Sequence, residues 1–345
     1  MCDRSKFILI GAAVAAVALA FGYVGGWLTP RRLSPQRLID AFEAANGPHP
    51  GFRRNHAKGV CVTGFFDGNG AGAQYSKALV FAAGRVPVVG RFALAGGQPF
   101  AADTAGAVRS LALRFTLPDG EEWRTGMNAI PVFPLRTPRA FYEQLVASRP
   151  DPLTGKPDAG RMAEFLAQHP ETARALKIIG SQVNSTGFAN SRYNSLDAFR
   201  LVAATGAVSS VRWAMVPNEP FAPDDPADAG ARAKNYLFDA LITALQHEPL
   251  QWHLMITIAQ PGDPTDDATV AWPLERPQLD VGTLTIEHAE GEDQGACRDI
   301  NFDPLVLPVG IEPSDDPLLS ARSAAYSRSF TRRVAETKPP SAVRP

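Results

Sequence analysis

A chain of 345 residues with 45% hydrophobic and 20% charged residues can bury a large core and is not a disordered polymer. A formal net charge of -1, from 34 basic and 35 acidic side chains, excludes a global field that would draw it to nucleic acid or to an anionic membrane surface. Its 29 glycines and 30 prolines point to many turns, as in a strand-rich fold.

The first element is an uncharged run from Phe7 to Leu28, preceded by Arg4 and Lys6. Its length suits a single membrane span, and the flanking cations keep the N-terminus cytoplasmic and send the rest across. Ala18-Leu19-Ala20 also fits a small-residue cleavage site, so a removed secretory signal is the alternative for residues 1–30. A Pro/Arg linker, Thr29 to Arg32, leads to a short amphipathic helix, Ser34 to Ala45, with Ser34 as cap before Pro35.

Gly59 to Phe66, Val86 to Leu94, Ser110 to Thr116 and Glu122 to Asn128 read as strands. Turns are signalled at Asp67-Gly68-Asn69-Gly70 and Leu117-Pro118-Asp119-Gly120. Helical spacing then takes over at Pro138 to Ser148, Asp158 to His169 and Glu171 to Ile179. Strands return at Ser195 to Ala204 and Ser209 to Val216 around Thr205-Gly206-Ala207. A polar loop, Asp225 to Ala233, and a helix, Asn235 to His247, precede strands Trp252 to Ala259 and Asp280 to Glu287.

No internal repeat is evident. Four strands, a helical insertion and four more strands imply an α+β fold on a closed eight-stranded antiparallel barrel, which leaves no open edge and can hold one small ligand in its interior. A helix from Ser320 to Arg333 ends the domain of residues 31–335, and the Lys/Pro-rich segment 336–345 reads as a disordered tail. Of three cysteines, Cys2 precedes the apolar run; only Cys61 and Cys297 could pair, but two are too few for a disulfide framework, and buried free thiols are the expectation with pairing left open.

Chemistry concentrates near the two ends. Arg322 precedes Tyr326 by four residues on the last helix, which puts the two side chains on one face. A permanent cation beside a phenol oxygen favours the phenolate, the form that binds ferric iron. Near the front, Arg53-Arg54-Asn55-His56-Ala57-Lys58-Gly59 sets a histidine among cations. Histidine suits a proton shuttle because its charge changes near neutrality.

Both motifs resemble the catalase family. The run Ile311-Glu312-Pro313-Ser314 leading to Leu319-Ser320-Ala321-Arg322-Ser323-Ala324-Ala325-Tyr326 is similar to that family's approach to its haem ligand, and Phe302-Asp303-Pro304 and Pro308-Val309-Gly310 fit it too. His-Ala-Lys-Gly, with Arg53 before His56, is similar to the distal signature. Gly126 to Phe133 resembles the Asn-x-Pro-x-Phe region, and Arg91-Phe92, Arg109 to Phe115, Asp197 to Val202 and Trp252 to Ile258 match further strands.

The resemblance implies haem b, with Tyr326 as axial ligand to the iron and Arg322 against it. His56 would shuttle the peroxide proton, and Asn128 would polarise the bound peroxide. Phe133 would line the pocket, and Arg53, Arg91 and Arg333 would hold the two propionates, because paired carboxylates entering an interior need cations. It covers about residues 35–335.

Departures from the family are also legible. Ala93 stands where catalases usually have a serine bonded to the histidine, which should loosen the orientation of His56; Asn55 replaces an apolar neighbour. The threading arm and outer domains are missing, so the interlocked tetramer is not expected, though another oligomer is open. These departures match the smaller membrane-anchored or periplasmic catalase-related peroxidases. The expected activity is therefore reduction of hydrogen peroxide or organic hydroperoxides by an unknown small-molecule electron donor. A true catalase, a non-catalytic haem or apolar-ligand barrel and a hydroperoxide isomerase are the alternatives.

Overall fold

Side-chain alternation along eight strand positions closes a barrel in the computed structural model, which describes residues 2–24, 33–224 and 232–344. Strands β1 (Gly59–Gly68), β2 (Gly84–Leu94), β3 (Arg109–Thr116) and β4 (Glu122–Asn128) pair antiparallel in chain order. β5 (Tyr193–Asn194) and β6 (Phe199–Val202) both pair with β7 (Val208–Pro217), so they share one strand position. β8 (Leu250–Ile258) bonds to β7 and to β9 (Gln278–Glu290), and β9 returns to β1 and shuts the ring. A short β10 (Ile311–Pro313) pairs with β6 outside it.

The strand expected over Ser195 to Ala204 is interrupted. Leu196 turns to a positive φ of 67°, and the Ser195 hydroxyl donates to the Asp197 carbonyl at 3.0 Å. The kink sends the Asp197 carboxylate to Arg322.

Helices stack outside the barrel. They are α2 (Pro35–Asn46), α3 (Pro138–Ala147), α4 (Ala159–Gln168), α5 (Pro170–Gly180), α6 (Tyr236–His247) and α7 (Pro317–Val334). Ser34, Thr137 and Asp316 cap α2, α3 and α7 by accepting from backbone N–H groups, each ahead of a proline at the first helical position. Asp316-Pro317 is thus a start signal one turn earlier than the expected Ser320. α2, α3 and α7 form their own apolar cluster of Leu38, Ile39, Ala41, Phe42, Leu145 and Ala325.

The barrel interior is solid. Phe66, Phe92, Phe115, Trp123, Trp213 and Trp252 are fully buried there. Trp123 meets Trp213 edge-on at 5.1 Å and stacks on Phe115 at 4.7 Å. An eight-stranded ring is just wide enough to be filled by side chains, so the expectation of a ligand inside it is overturned.

Two further expectations are corrected. Cys61 and Cys297 are not free thiols: they form a disulfide with Cα atoms 5.3 Å apart, across a sequence separation of 236. Cys61 faces outward from β1, and the loop after β9 folds over it with Ile300 and Phe302. The segment after residue 335 is anchored to the domain at several points. Glu336 pairs with Arg54 and accepts from Gly51 N at 2.7 Å, Ser341 accepts from Asp293 N at 2.7 Å, and Val343 is buried.

α1 (Cys2–Val24) is exposed and, by length and composition, is the one helix among the described residues able to cross a membrane; a signal sequence meets the same test. The Thr29 to Arg32 linker and most of the Asp225 to Ala233 loop lie outside the described residues.

Candidate active site

Register places the chemistry on the outer face of the barrel. Ala93, Ser110 and Asn128 are direct cross-strand partners on β2, β3 and β4, and two residues along lie Arg91, Ala112 and Gly126. Cross-strand partners share a face and next neighbours oppose it. The intervening Phe92, Leu111 and Met127 therefore point into the barrel core. The helical layer of α2, α3 and α7 covers the outward rows. Two adjoining cavities lie between, and His56, Arg53, Phe141, Arg322 and Tyr326 border both.

His56 sits on the loop before β1 with a positive φ of 53°. A non-glycine residue holds that conformation only when its surroundings insist. Here Asn55 Oδ1 accepts from His56 N at 3.0 Å and from Gly96 N at 2.9 Å. The flanking cations fix the loop: Arg54 binds Glu43 at 2.7 Å, and Lys58 binds Asp103 at 2.6 Å. His56 Nδ1 lies 3.0 Å from Ser110 Oγ, and that hydroxyl donates to Asn128 Oδ1 at 2.5 Å. Burial first, then the Arg91, Arg322 and Arg53 charges, push the His56 pKa down to about 3, so the ring is neutral at physiological pH. The loosened histidine expected from Ala93 is thus not what the structure shows: Ser110, its neighbour on the next strand, supplies the hydroxyl.

α7 carries Tyr326 and Arg322. Burial opposes the Arg322 charge, but Asp197, then Tyr326 and Asp316, hold its pKa above the ordinary value. Asp316, deeper at the helix start, is pushed up to about 7 by burial and by Asp197. Gly126 keeps the adjoining barrel wall bare: a Cβ there would lie 3.8 Å from Arg322 Nη2 and 4.0 Å from the Tyr326 hydroxyl.

The three remaining arginines converge with Glu292. Arg53 Nε meets Glu292 Oε1 at 3.1 Å and Arg91 Nη2 meets Oε2 at 2.8 Å. Arg91 Nη1 also donates to the His56 carbonyl at 2.8 Å, and Arg333 Nη1 to the Arg298 carbonyl at 2.7 Å. Burial lowers Arg53 to about 9 and lowers Arg333 as well. Buried Arg91 Nε and Arg333 Nη2 have no hydrogen-bond partner among the described residues.

These residues fit the haem that the resemblance implies. Orphaned guanidinium nitrogens among three arginines and one glutamate leave a positive excess that two propionates match. Small residues, Ala93, Ala112 and Gly126, floor a cavity that Phe133 also lines. Among the described residues no group of three or more His, Cys, Asp or Glu could hold a bare metal ion, whereas a porphyrin brings four ligands of its own and needs one. Sequence reasoning placed His56, Asn128, Arg53, Arg91, Phe133, Arg322, Tyr326 and Arg333 around one space, and all of them line one or both cavities. It missed Ser110 and Glu292, and read Asp197 only as part of a strand.

The catalase family profile matches residues 30–338. A catalase-related peroxidase of Synechococcus elongatus is 38% identical over 328 residues, 95% of this chain and 97% of its own length. One of Mycolicibacterium paratuberculosis is 34% identical over 304 residues, 88% of this chain and 95% of its own. A catalase of Pseudomonas aeruginosa is 28% identical, and its match covers 81% of this chain but 56% of its own. Among solved structures, catalase A from Saccharomyces cerevisiae shares the fold at a TM-score of 0.74 and 20% identity, over 86% of this chain and 64% of its own. The chain belongs to the catalase family and is an oxidoreductase acting on peroxide.

Proposed function

We propose that the protein is a haem b peroxidase that reduces hydrogen peroxide or organic hydroperoxides with electrons from an external small-molecule donor. The observation that carries this reading is the contact chain His56–Ser110–Asn128 on the wall of a cavity that also holds the Arg322–Tyr326 pair. Bound haem would supply the redox-active iron. Tyr326 would ligate it, with Arg322 and Asp197 as neighbouring charges, and Arg53, Arg91 and Arg333 would take the propionates.

The chain's own residues handle protons and charge. Neutral His56 would accept the proton of one peroxide oxygen and return it to the other, which leaves as water or an alcohol. The Asn128 amide donates to the oxygen that gains negative charge, from a fixed position that costs no reorganisation. Two electrons and two protons per peroxide balance the reaction, and the donor supplies the electrons.

Relatives named catalase-related peroxidase match over nearly their whole length, whereas the Pseudomonas aeruginosa catalase matches over about half of its own. This supports peroxidase over catalase activity. The disulfide and the apolar α1 support an exported domain in the periplasm, held at the inner membrane through residues 7–28 or released after signal cleavage. No nucleic-acid partner is proposed.

The test is the haem-loaded full chain given cumene hydroperoxide with a phenolic donor, beside hydrogen peroxide alone. Donor-dependent peroxide loss that exceeds oxygen release is the expected result. Rapid oxygen release without a donor would make the protein a catalase. A Tyr326→Phe variant with an unaltered haem spectrum would contradict the assigned ligand.

A further inference from the structure

We infer that Ser110 is the positioning residue of the distal pair: its single hydroxyl fixes the tautomer of His56 and the rotation of the Asn128 amide together. The inference deepens the peroxidase reading and rests on it for the meaning of that alignment. The alignment itself has a test of its own.

Placement comes first. β3 lies between β2 and β4, and Ser110 is the direct partner of Ala93 on one side and Asn128 on the other. Its side chain is buried on the outward row, with Oγ 3.0 Å from His56 Nδ1 and 2.5 Å from Asn128 Oδ1. A hydroxyl has one proton to give and lone pairs to receive. Asn128 Oδ1 can only accept, so the Ser110 proton goes there. His56 must then donate Nδ1–H to Ser110 Oγ. Were Nδ1 bare, lone pairs would face each other across one of the two contacts, with no proton between.

Both cavity-facing atoms follow from that one choice. With the proton on Nδ1, His56 Nε2 keeps a lone pair and is a base. With Oδ1 taken by Ser110, the Asn128 NH₂ is the end left to face the cavity. The reversed chain, Asn128 NH₂ to Ser110 to Nδ1, would present an Nε2–H and a carbonyl instead. In that arrangement His56 has no lone pair to accept a peroxide proton, and Asn128 has no N–H to donate to a developing anion. Ser110 couples the two groups, so they are both aligned or both reversed.

Ala93 makes the position informative. A hydroxyl at residue 93 would sit one strand farther from Asn128, at a strand spacing of about 4.8 Å, and could not bridge both groups. The chain carries its hydroxyl on the one strand from which a single side chain reaches the pair.

The experiment is nitrogen NMR of the full-length porphyrin-free chain with labelled histidine, the His56 signals being assigned by their loss in His56→Asn. Expected are a protonated Nδ1 and a bare Nε2 in the wild type, a mixture of tautomers in Ser110→Ala, and return to one tautomer in Ser110→Thr. In the haem-loaded enzyme, S110A should lower kcat/KM for peroxide about 100-fold with haem uptake and unfolding midpoint unchanged, and S110T should recover most of it. A bare Nδ1 in the wild type, or an unchanged single tautomer in S110A, would overturn the inference. The expected tautomers in a wild type that turns over no peroxide would uphold the alignment and sink the peroxidase reading instead.

Discussion

The two faces of β2, β3 and β4 are made of alternate residues of the same strands, yet they do different work. Inward, Phe92, Leu111 and Met127 join a continuous apolar core. Outward, Arg91, Ser110 and Asn128 are polar, and Ala93, Ala112 and Gly126 are small. The inner face has no choice, because a narrow barrel must be filled to be stable. The outer face is free to be under-filled, since a separate helical layer covers it. Stability and chemistry are thereby separated by a single residue step along the chain.

Substitutions one residue apart should therefore fail in different ways. The largest effect is expected at the histidine. His56→Asn, which tolerates the left-handed backbone there, should cut peroxide-dependent turnover of the haem-loaded enzyme about 10³-fold while the denaturant midpoint stays put. Steady-state kinetics beside a urea titration checks both halves; a midpoint shift as large as the kinetic loss would erase the distinction between the faces. Phe92→Ala, adjacent to Arg91, should do the reverse. It should cost about 3 kcal/mol of stability by leaving a cavity against Trp252 and Tyr193, and turnover per folded molecule should be retained.

The disulfide crosses the division. It ties the outer row of β1 to the loop whose Cys297 and Ile300 carbonyls receive Arg53. A double Cys61→Ser, Cys297→Ser variant should lose about 2–3 kcal/mol. Unlike Phe92→Ala, it should also weaken porphyrin binding, measured by spectroscopic titration. Unchanged porphyrin affinity would show that the loop holds Arg53 without the bond.

Much of this was legible because the signals are local. Period-two runs gave four strands, an insertion and four strands, and the resemblance of short motifs to the catalase family gathered His56, Asn128, Arg322 and Tyr326. The rest depends on register and on long-range packing. Ser110 looks like any strand serine until pairing sets it between Ala93 and Asn128. Cys61 and Cys297 are 236 residues apart, and nothing in two isolated cysteines says that a loop will fold across an outward strand position. Glu292 lies in a polar turn whose composition suggests solvent, yet it is half-buried between Arg53 and Arg91, which hold its carboxylate below the usual range despite the opposing cost of burial. A Lys/Pro-rich tail reads as disordered because its anchors, Ser341 and Val343, are single residues with no periodicity.

The smallest effect expected is a pair of opposed pH dependences. His56 has its folded pKa lowered to about 3, so between there and its ordinary value near 6.5 the unfolded chain binds the extra proton, and stability rises with pH. Asp316 has its folded pKa raised to about 7, so above the usual carboxylate range it is the folded chain that binds the extra proton, and stability falls with pH until about 7. From about pH 4 to 6.5 the two contributions oppose each other. Asp316→Asn keeps an oxygen that can accept from Leu318 N, so the start of α7 should persist while the titration is lost. Relative to wild type, that variant should gain stability as pH rises through this window, and His56→Asn should lose it. Urea unfolding of the porphyrin-free chain at stepped pH measures both differences. Slopes of the same sign in the two variants would mean that one of these groups is not buried in the state assigned to it.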